Sequence, residues 1–214
     1  MNQIIADKMK REVMVVKNAD LFSDVERESK VYSTQDSDFE TKILNNFEFM
    51  VRGEAEENTS YKQPITYAIV LNENDDIFVY TRWGKDSAAG DVRLHEKLSI
   101  WVGWHLERED EDVENPLRDC LARELEEEIN LKEENITEIF PIWYINDDRN
   151  PVWEVHIGVS YIIKTQNFNP LMEDGELESW EFVTYSTLKD MIASGDYDVE
   201  TWTGLLAPEI EKHI

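Results

Sequence analysis

Leu117, Leu121, Leu125 and Ile129 recur at every fourth position, the spacing of a helix that turns one face to a core. Asn115 stands in front of that stripe as a side-chain cap, and Pro116 suits the first helical position, where no amide donor is needed. Asn130 tolerates the left-handed conformation that ends a helix. Elsewhere the pattern shortens to that of strands. Residues 12–17 (EVMVVK) form an apolar strand followed by a turn at 18–20. Residues 65–71 (ITYAIVL) and 77–83 (IFVYTRW) pair as a hairpin around a turn at 72–76. A strand over 98–103 delivers Gly103 to the segment before the helix.

Two further strands, 136–145 and 151–164, flank a turn at 146–150. In the second, Trp153, Val155, Ile157, Val159, Tyr161 and Ile163 share one face, leaving Glu154, His156, Gly158 and Ser160 on the other, where Glu154 and His156 can look into a cleft. A hydrogen-bonded strand residue is the simpler reading of His156; His95 and His105 stand nearer the helix. A loose helix is expected within 39–49, a loop over 54–64, and a small, polar segment at 84–90. The chain closes with a Ser-capped helix over 186–194 and a terminal helix over 200–214, broken or restarted at Pro208.

The acids of the 116–129 helix are placed unusually. At about 100° per residue, with Leu117 at zero, the Leu stripe drifts from about 0° to about 80°. Glu128 falls near about 20°, Glu124 near about 340° and Glu127 near about 280°, whereas Glu126 and Asp119 point away. Solvated acids belong opposite an apolar stripe, and a buried carboxylate is costly unless paired or bound to metal. At i, i+3 and i+4, Glu124, Glu127 and Glu128 converge on one patch of hard oxygen ligands suited to Mg²⁺ or Mn²⁺. A charged helix stabilised by Arg118 and Arg123 fits the same spacing.

Length and composition narrow the choices. The 214 residues, 41% hydrophobic and 32% charged, suffice for one globular domain with an extension. A net charge of −26 disfavours nucleic acid and concentrates divalent cations. The single Cys120 allows no internal disulfide and no thiolate cluster, and reads as a small buried hydrophobe. No apolar run has the length of a membrane span or a signal peptide, so a cytoplasmic protein is expected. Arg82, Lys85, Arg93 and Lys97 form the main basic cluster, with Arg82, Lys85 and Arg93 as candidate phosphate contacts or ordinary surface charge. The acidic run 109–112 lacks the glycine and terminal Glu of a calcium loop.

Arg123-Glu124-Leu125-Glu126-Glu127-Glu128-Ile129-Asn130-Leu131 resembles the second half of the Nudix box, which reads Arg-Glu-apolar-x-Glu-Glu-x-Gly-apolar. The chain departs from the motif in three ways. Asn130 replaces the terminal glycine, the box opens Gly103-Trp104-His105, and the interval from Gly103 to Arg123 is six residues longer than the consensus. Glu114 sits one residue early for the motif's first Glu. The resemblance is to a divergent subgroup with a lengthened first half of the box.

It implies an α/β fold, a Nudix-type α/β/α sandwich with a mixed sheet over residues 61–214, preceded by an extension (1–60) packed on or capping the core. It also implies hydrolysis of a diphosphate linkage in a nucleoside diphosphate derivative or related organic pyrophosphate. Mg²⁺ or Mn²⁺ would sit on Glu124, Glu127 and Glu128, with a backbone carbonyl near Gly103. Glu124 or an acid of the late 173–185 segment would act as base, Glu178 first, then Glu176 and Glu173; Arg123 would orient the helix carboxylates. Trp83, Trp104, Trp143 and Trp153 are candidates for stacking on a base, or for core. The extension leaves room for a homodimer. The rival reading is a catalytically silent Nudix-fold nucleotide-binding or regulatory protein.

Overall fold

The computed structural model describes residues 7–82, 97–108, 114–170 and 177–214. The chain begins with strand β1 (Glu12–Lys17), a single helical turn α1 (Asn18–Leu21), β2 (Lys30–Ser33) and helix α2 (Phe39–Asn46). β3 (Glu48–Val51), a second single turn α3 (Arg52–Ala55) and the long β4 (Tyr61–Leu71) follow. Next come β5 (Ile77–Arg82), β6 (Lys97–Ser99), β7 (Val102–His105) and helix α4 (Pro116–Ile129). A 3₁₀ turn (Glu133–Asn135) leads into β8 (Ile136–Asn146), β9 (His156–Thr165) and β10 (Leu177–Val183). Helix α5 (Tyr185–Ser194), β11 (Asp198–Val199) and helix α6 (Thr201–Ile210) complete the chain.

These elements gather into two compact units. The first takes Met1–Tyr67, Gly103–Leu121 and Pro141–Tyr161; the second takes Ala68–Val102, Ala122–Phe140 and Ile162–Ile214. Strands β4, β8 and β9 and helix α4 therefore give residues to each.

In the first unit, β1 lies antiparallel to β3, with Val13 opposite Met50, and continues onto β4 with Val16 opposite Lys62. The run Val13–Val16 is buried at every position, as a strand covered on both faces must be. β2 pairs antiparallel with β8, Tyr32 opposite Tyr144. Phe39 of α2 packs against both rings, at centroid distances of 5.2 and 5.0 Å.

In the second unit, β5 pairs antiparallel with β10 along its length and with β6 at Tyr80 and Thr81. β11 joins β6 in parallel, so the sheet is mixed and the fold is α/β. Phe78, Trp180 and Phe182 cluster on the β5–β10 ladder at 5.7 to 6.3 Å. Glu200 caps α6: it accepts from the Thr203 amide at 2.9 Å and from the Trp101 indole at 2.6 Å. Among the described residues, no helix is long and apolar enough to cross a membrane.

Several local expectations are corrected. Residues 18–20 lie in a helical turn, α1, closed by the Phe22 amide on the Asn18 carbonyl at 2.9 Å. The expected 54–64 loop contains the end of α3, and β4 already begins at Tyr61. The 98–103 strand divides at Ile100–Trp101 into β6 and β7. Residues 151–155 form no strand, because the amides of Trp153 and Glu154 both turn back to the Asn150 carbonyl at 2.9 Å. β9 therefore starts at His156, and both its faces are covered, Gly158 and Ser160 included. The cap of α5 is Thr184, which accepts from the Thr187 amide, and not Ser186. Helix α6 runs through Pro208 without a break, held by buried Trp202, Leu206 and Ile210; the proline falls in its last turn. Residues 84–90 lie outside the described residues.

Candidate functional site

Helix α4 is built by the signals its sequence carries. The Asn115 side-chain oxygen accepts from the Arg118 amide at 3.2 Å, while its amide group donates to Glu40 of α2 at 3.0 Å. Leu117, Leu121, Leu125 and Ile129 are fully buried. At the far end Asn130 adopts φ 55°, and the Leu131 amide reaches back to the Leu125 carbonyl at 3.0 Å. The Asn130 amide meanwhile donates to the Glu126 carbonyl at 3.0 Å, the five-to-one bond of a left-handed helix cap.

On the face beside this stripe stand the three carboxylates. Glu124 keeps 15% of its side chain exposed, Glu127 keeps 60%, and Glu128 is half-buried. The Arg123 guanidinium lies 2.7 Å from Glu124 and 3.5 Å from Glu127, bridging the two acids. Burial nevertheless pushes the Glu124 carboxyl up to about 7, outweighing the arginine, and the charges of Glu127 and Glu128 push in the same direction. A group of hard oxygens, one of them desolvated and incompletely compensated, fits a divalent cation, which favours the ionised form that burial opposes.

The other sequence-derived candidates fall in different places. Gly103 lies on β7, half-buried, in the first unit, whereas Glu124, Glu127 and Glu128 belong to the second. Glu114 is exposed just before α4. Arg82 lies on β5 and Glu178 on β10, but their side chains fall outside the description. Lys85, Arg93, His95, Trp83, Glu173 and Glu176 lie outside the described residues. Lys97 is engaged by Asp198 at 3.0 Å. Trp143 and Trp153 are buried, and Trp104 is half-buried.

Two clusters in the first unit were not anticipated. Lys62 of β4 is fully buried and donates at 2.7 Å both to Asp148 and to the Glu154 carbonyl. Asp148 also accepts from Arg27 at 2.7 Å. Burial brings the Lys62 ammonium down to about 8. For Asp148, burial acts upward, but the hydrogen bonds from Arg27 and Lys62 prevail and hold it at about 2. Desolvation falls more heavily on the lysine because the aspartate retains 24% exposure.

The second cluster joins Glu56, which follows α3, His105 at the end of β7 and His156 at the start of β9. The two Nε2 atoms are 3.0 Å apart. Burial drives His156 down to about 4, against the pull of the Glu56 charge. This overturns the expectation that His156 can face an open cleft: only 2% of the residue is exposed.

A profile of the NUDIX domain family matches residues 62–203. Over 112 residues the chain is 40% identical to Protein YmaB of Bacillus subtilis (strain 168), an alignment covering 51% of this chain and 52% of that protein. The chain thus spans about half the length of this relative. Among solved structures, Tm1382 is similar with a TM-score of 0.74 at 20% identity, over 95% of this chain and 99% of its own. DR0079 of Deinococcus radiodurans follows at 0.52 and 14%, over 69% and 82%. The NUDIX domain of Shewanella oneidensis NrtR, solved with ADP ribose, aligns at 0.50 and 12%, over 71% and 87%. These structural likenesses are likenesses of fold.

Proposed function

The chain belongs to the NUDIX domain family, a family of pyrophosphohydrolases, and on that premise we propose that it cleaves the diphosphate linkage of a nucleoside diphosphate derivative, using Mg²⁺ or Mn²⁺ held by Glu124, Glu127 and Glu128. The observation that carries this reading is the Glu124 carboxylate, 15% exposed beside a fully apolar stripe and raised to about 7 by burial. A carboxylate in that position costs stability unless a cation offsets it, and Arg123 does so only in part.

A divalent ion bound there supplies charge neutralisation for the diphosphate and a more acidic water. The chain's own groups do the rest. Glu124, held ionised by the cation, would accept a proton from the attacking water. Arg123 holds Glu124 and Glu127 in register through its bonds to both. Glu178 is the second candidate base. The net charge of −26 makes an anionic substrate dependent on cations for its approach. The ADP ribose held by the NrtR domain supports a diphosphate joined to a sugar as the first substrate to try.

The test is product release from ADP-ribose and a panel of other nucleoside diphosphate derivatives, with Mg²⁺, Mn²⁺ or chelator, followed by phosphorus NMR. Phosphomonoester products that require the metal support the proposal. An intact panel in both metals, with substrates shown to bind, points instead to a silent binding protein.

A further inference from the structure

We propose that Glu56, His105 and His156 form a second metal site, built for a transition ion such as Zn²⁺ and independent of the acid face of α4. All three residues belong to the first unit, and they come from three separate elements. One ligand atom from each lies within 4.8 Å of the others.

His156 is prepared as a ligand. Its Nδ1 lies 2.5 Å from the Val152 carbonyl, which can only accept, so the ring proton resides on Nδ1 and the Nε2 lone pair faces His105. The ring is almost wholly buried, and with its proton directed at the Val152 carbonyl it offers the neutral-imidazole lone pair that a metal requires. A backbone carbonyl fixing the tautomer is the usual outer support of a metal-bound imidazole. Trp153 packs against the same ring, with centroids 6.1 Å apart.

The spacing suits coordination. With metal–nitrogen bonds of about 2.05 Å, two ligand nitrogens stand about 2.9 Å apart at a right angle and about 3.4 Å apart at the tetrahedral angle. The observed Nε2–Nε2 separation is 3.0 Å. Without metal, His105 donates its Nε2 proton to His156. On binding, that proton leaves to water and Nδ1 of His105 takes one up, so the imidazole stays neutral. Glu56 supplies the anionic oxygen, 4.0 Å from His156 Nε2, and shares it with Arg52 at 3.3 Å. Two imidazoles and one carboxylate select borderline ions over Mg²⁺, which prefers an all-oxygen shell. His105 follows Gly103 by two residues on β7, so a bound ion would tie that strand to α3 and β9.

The experiment titrates metal-stripped, full-length protein with Co²⁺ in excess Mg²⁺, reading the visible d–d absorption of a nitrogen-ligated ion. A Glu127→Gln background reduces binding to the α4 acids. The expected result is one Co²⁺ per chain, displaced by Zn²⁺. Glu56→Gln, near the surface, should weaken it by on the order of 10-fold or more, and His105→Asn should abolish it. His156→Asn is included only if its circular dichroism matches the parent. A spectrum without d–d bands, or one unchanged by both Glu56→Gln and His105→Asn, overturns the site and leaves the imidazoles as a hydrogen-bonded pair.

Discussion

The acid face of α4 and the histidine cluster of the first unit both present three potential ligands, but by opposite means. On α4 the ligands are oxygens, Glu127 largely open to solvent and Glu128 half-buried, and Arg123 bridges Glu124 and Glu127. In the histidine cluster two ligands are ring nitrogens, and one imidazole is almost wholly buried. The acid face carries a charge density that a hard ion would relieve. The histidine cluster carries oriented lone pairs that a softer ion would share. Charge and donor type, more than the number of ligands, separate the two sites.

The largest expected effect falls on the acid face. Glu124→Gln should lower kcat by about 10²- to 10⁴-fold, the usual worth of a positioned general base. Its stability should move by no more than about 1 kcal/mol, since the substitution is isosteric. Steady-state kinetics beside a thermal melt separate the two quantities.

Next comes a charge in the first unit with no part in the chemistry. Asp148→Asn leaves the fully buried Lys62 without its carboxylate, and should cost about 3 kcal/mol by urea unfolding. The pH dependence has a definite sign. The folded-state value of Asp148, about 2, lies below its ordinary 3.8, so its contribution is present above pH 3.8 and is lost as pH falls through 2. That loss amounts to about 2 kcal/mol and should be absent from the variant. Lys62 acts in the other direction: its value is lowered to about 8 from 10.5, so the cost of burying its charge is relieved as pH rises through that window.

Arg123→Gln should be milder. Loss of a charge-assisted bond of about 1.5–3 kcal/mol corresponds to a fall in kcat of roughly 10- to 100-fold. Arg123→Lys should restore part of it, because the ammonium neutralises without forming a planar fork. The smallest effect is assigned to Arg52→Gln. Freed of its partner at 3.3 Å, Glu56 should take Co²⁺ only a few-fold more tightly, about 0.5 kcal/mol for a part-buried pair of this length. An unchanged affinity there would show that Arg52 does not compete for the carboxylate.

The same two clusters show why the sequence was informative in one place and not in the other. Glu124, Glu127 and Glu128 lie within a single helical turn, so periodicity places them together before any tertiary structure is known. The caps of that helix were equally local: Asn115 and Asn130 act through bonds to residues three and four positions away. His105 and His156 are 51 residues apart, and no local rule brings them within 3.0 Å. Lys62 and Asp148 are separated by 86 residues, and a lysine in an expected loop reads as an exposed one. The split of 98–103 into β6 and β7 was hidden for a related reason. Its apolar run continues through Ile100 and Trp101, but the Trp101 indole is drawn to Glu200, 99 residues away. At Pro208 the helix continues although the proline cannot bond the Gly204 carbonyl, because the buried face of Trp202, Leu206 and Ile210 holds it.

The most direct test of the central claim compares two neighbouring acids on α4. Glu127 lies on the acid face, whereas Glu126 points away and is exposed. Metal-dependent hydrolysis of the best substrate would be measured for wild type, Glu127→Gln and Glu126→Gln under one Mg²⁺ concentration. The account predicts that turnover collapses in Glu127→Gln and persists in Glu126→Gln. Full metal-dependent turnover in Glu127→Gln would contradict it.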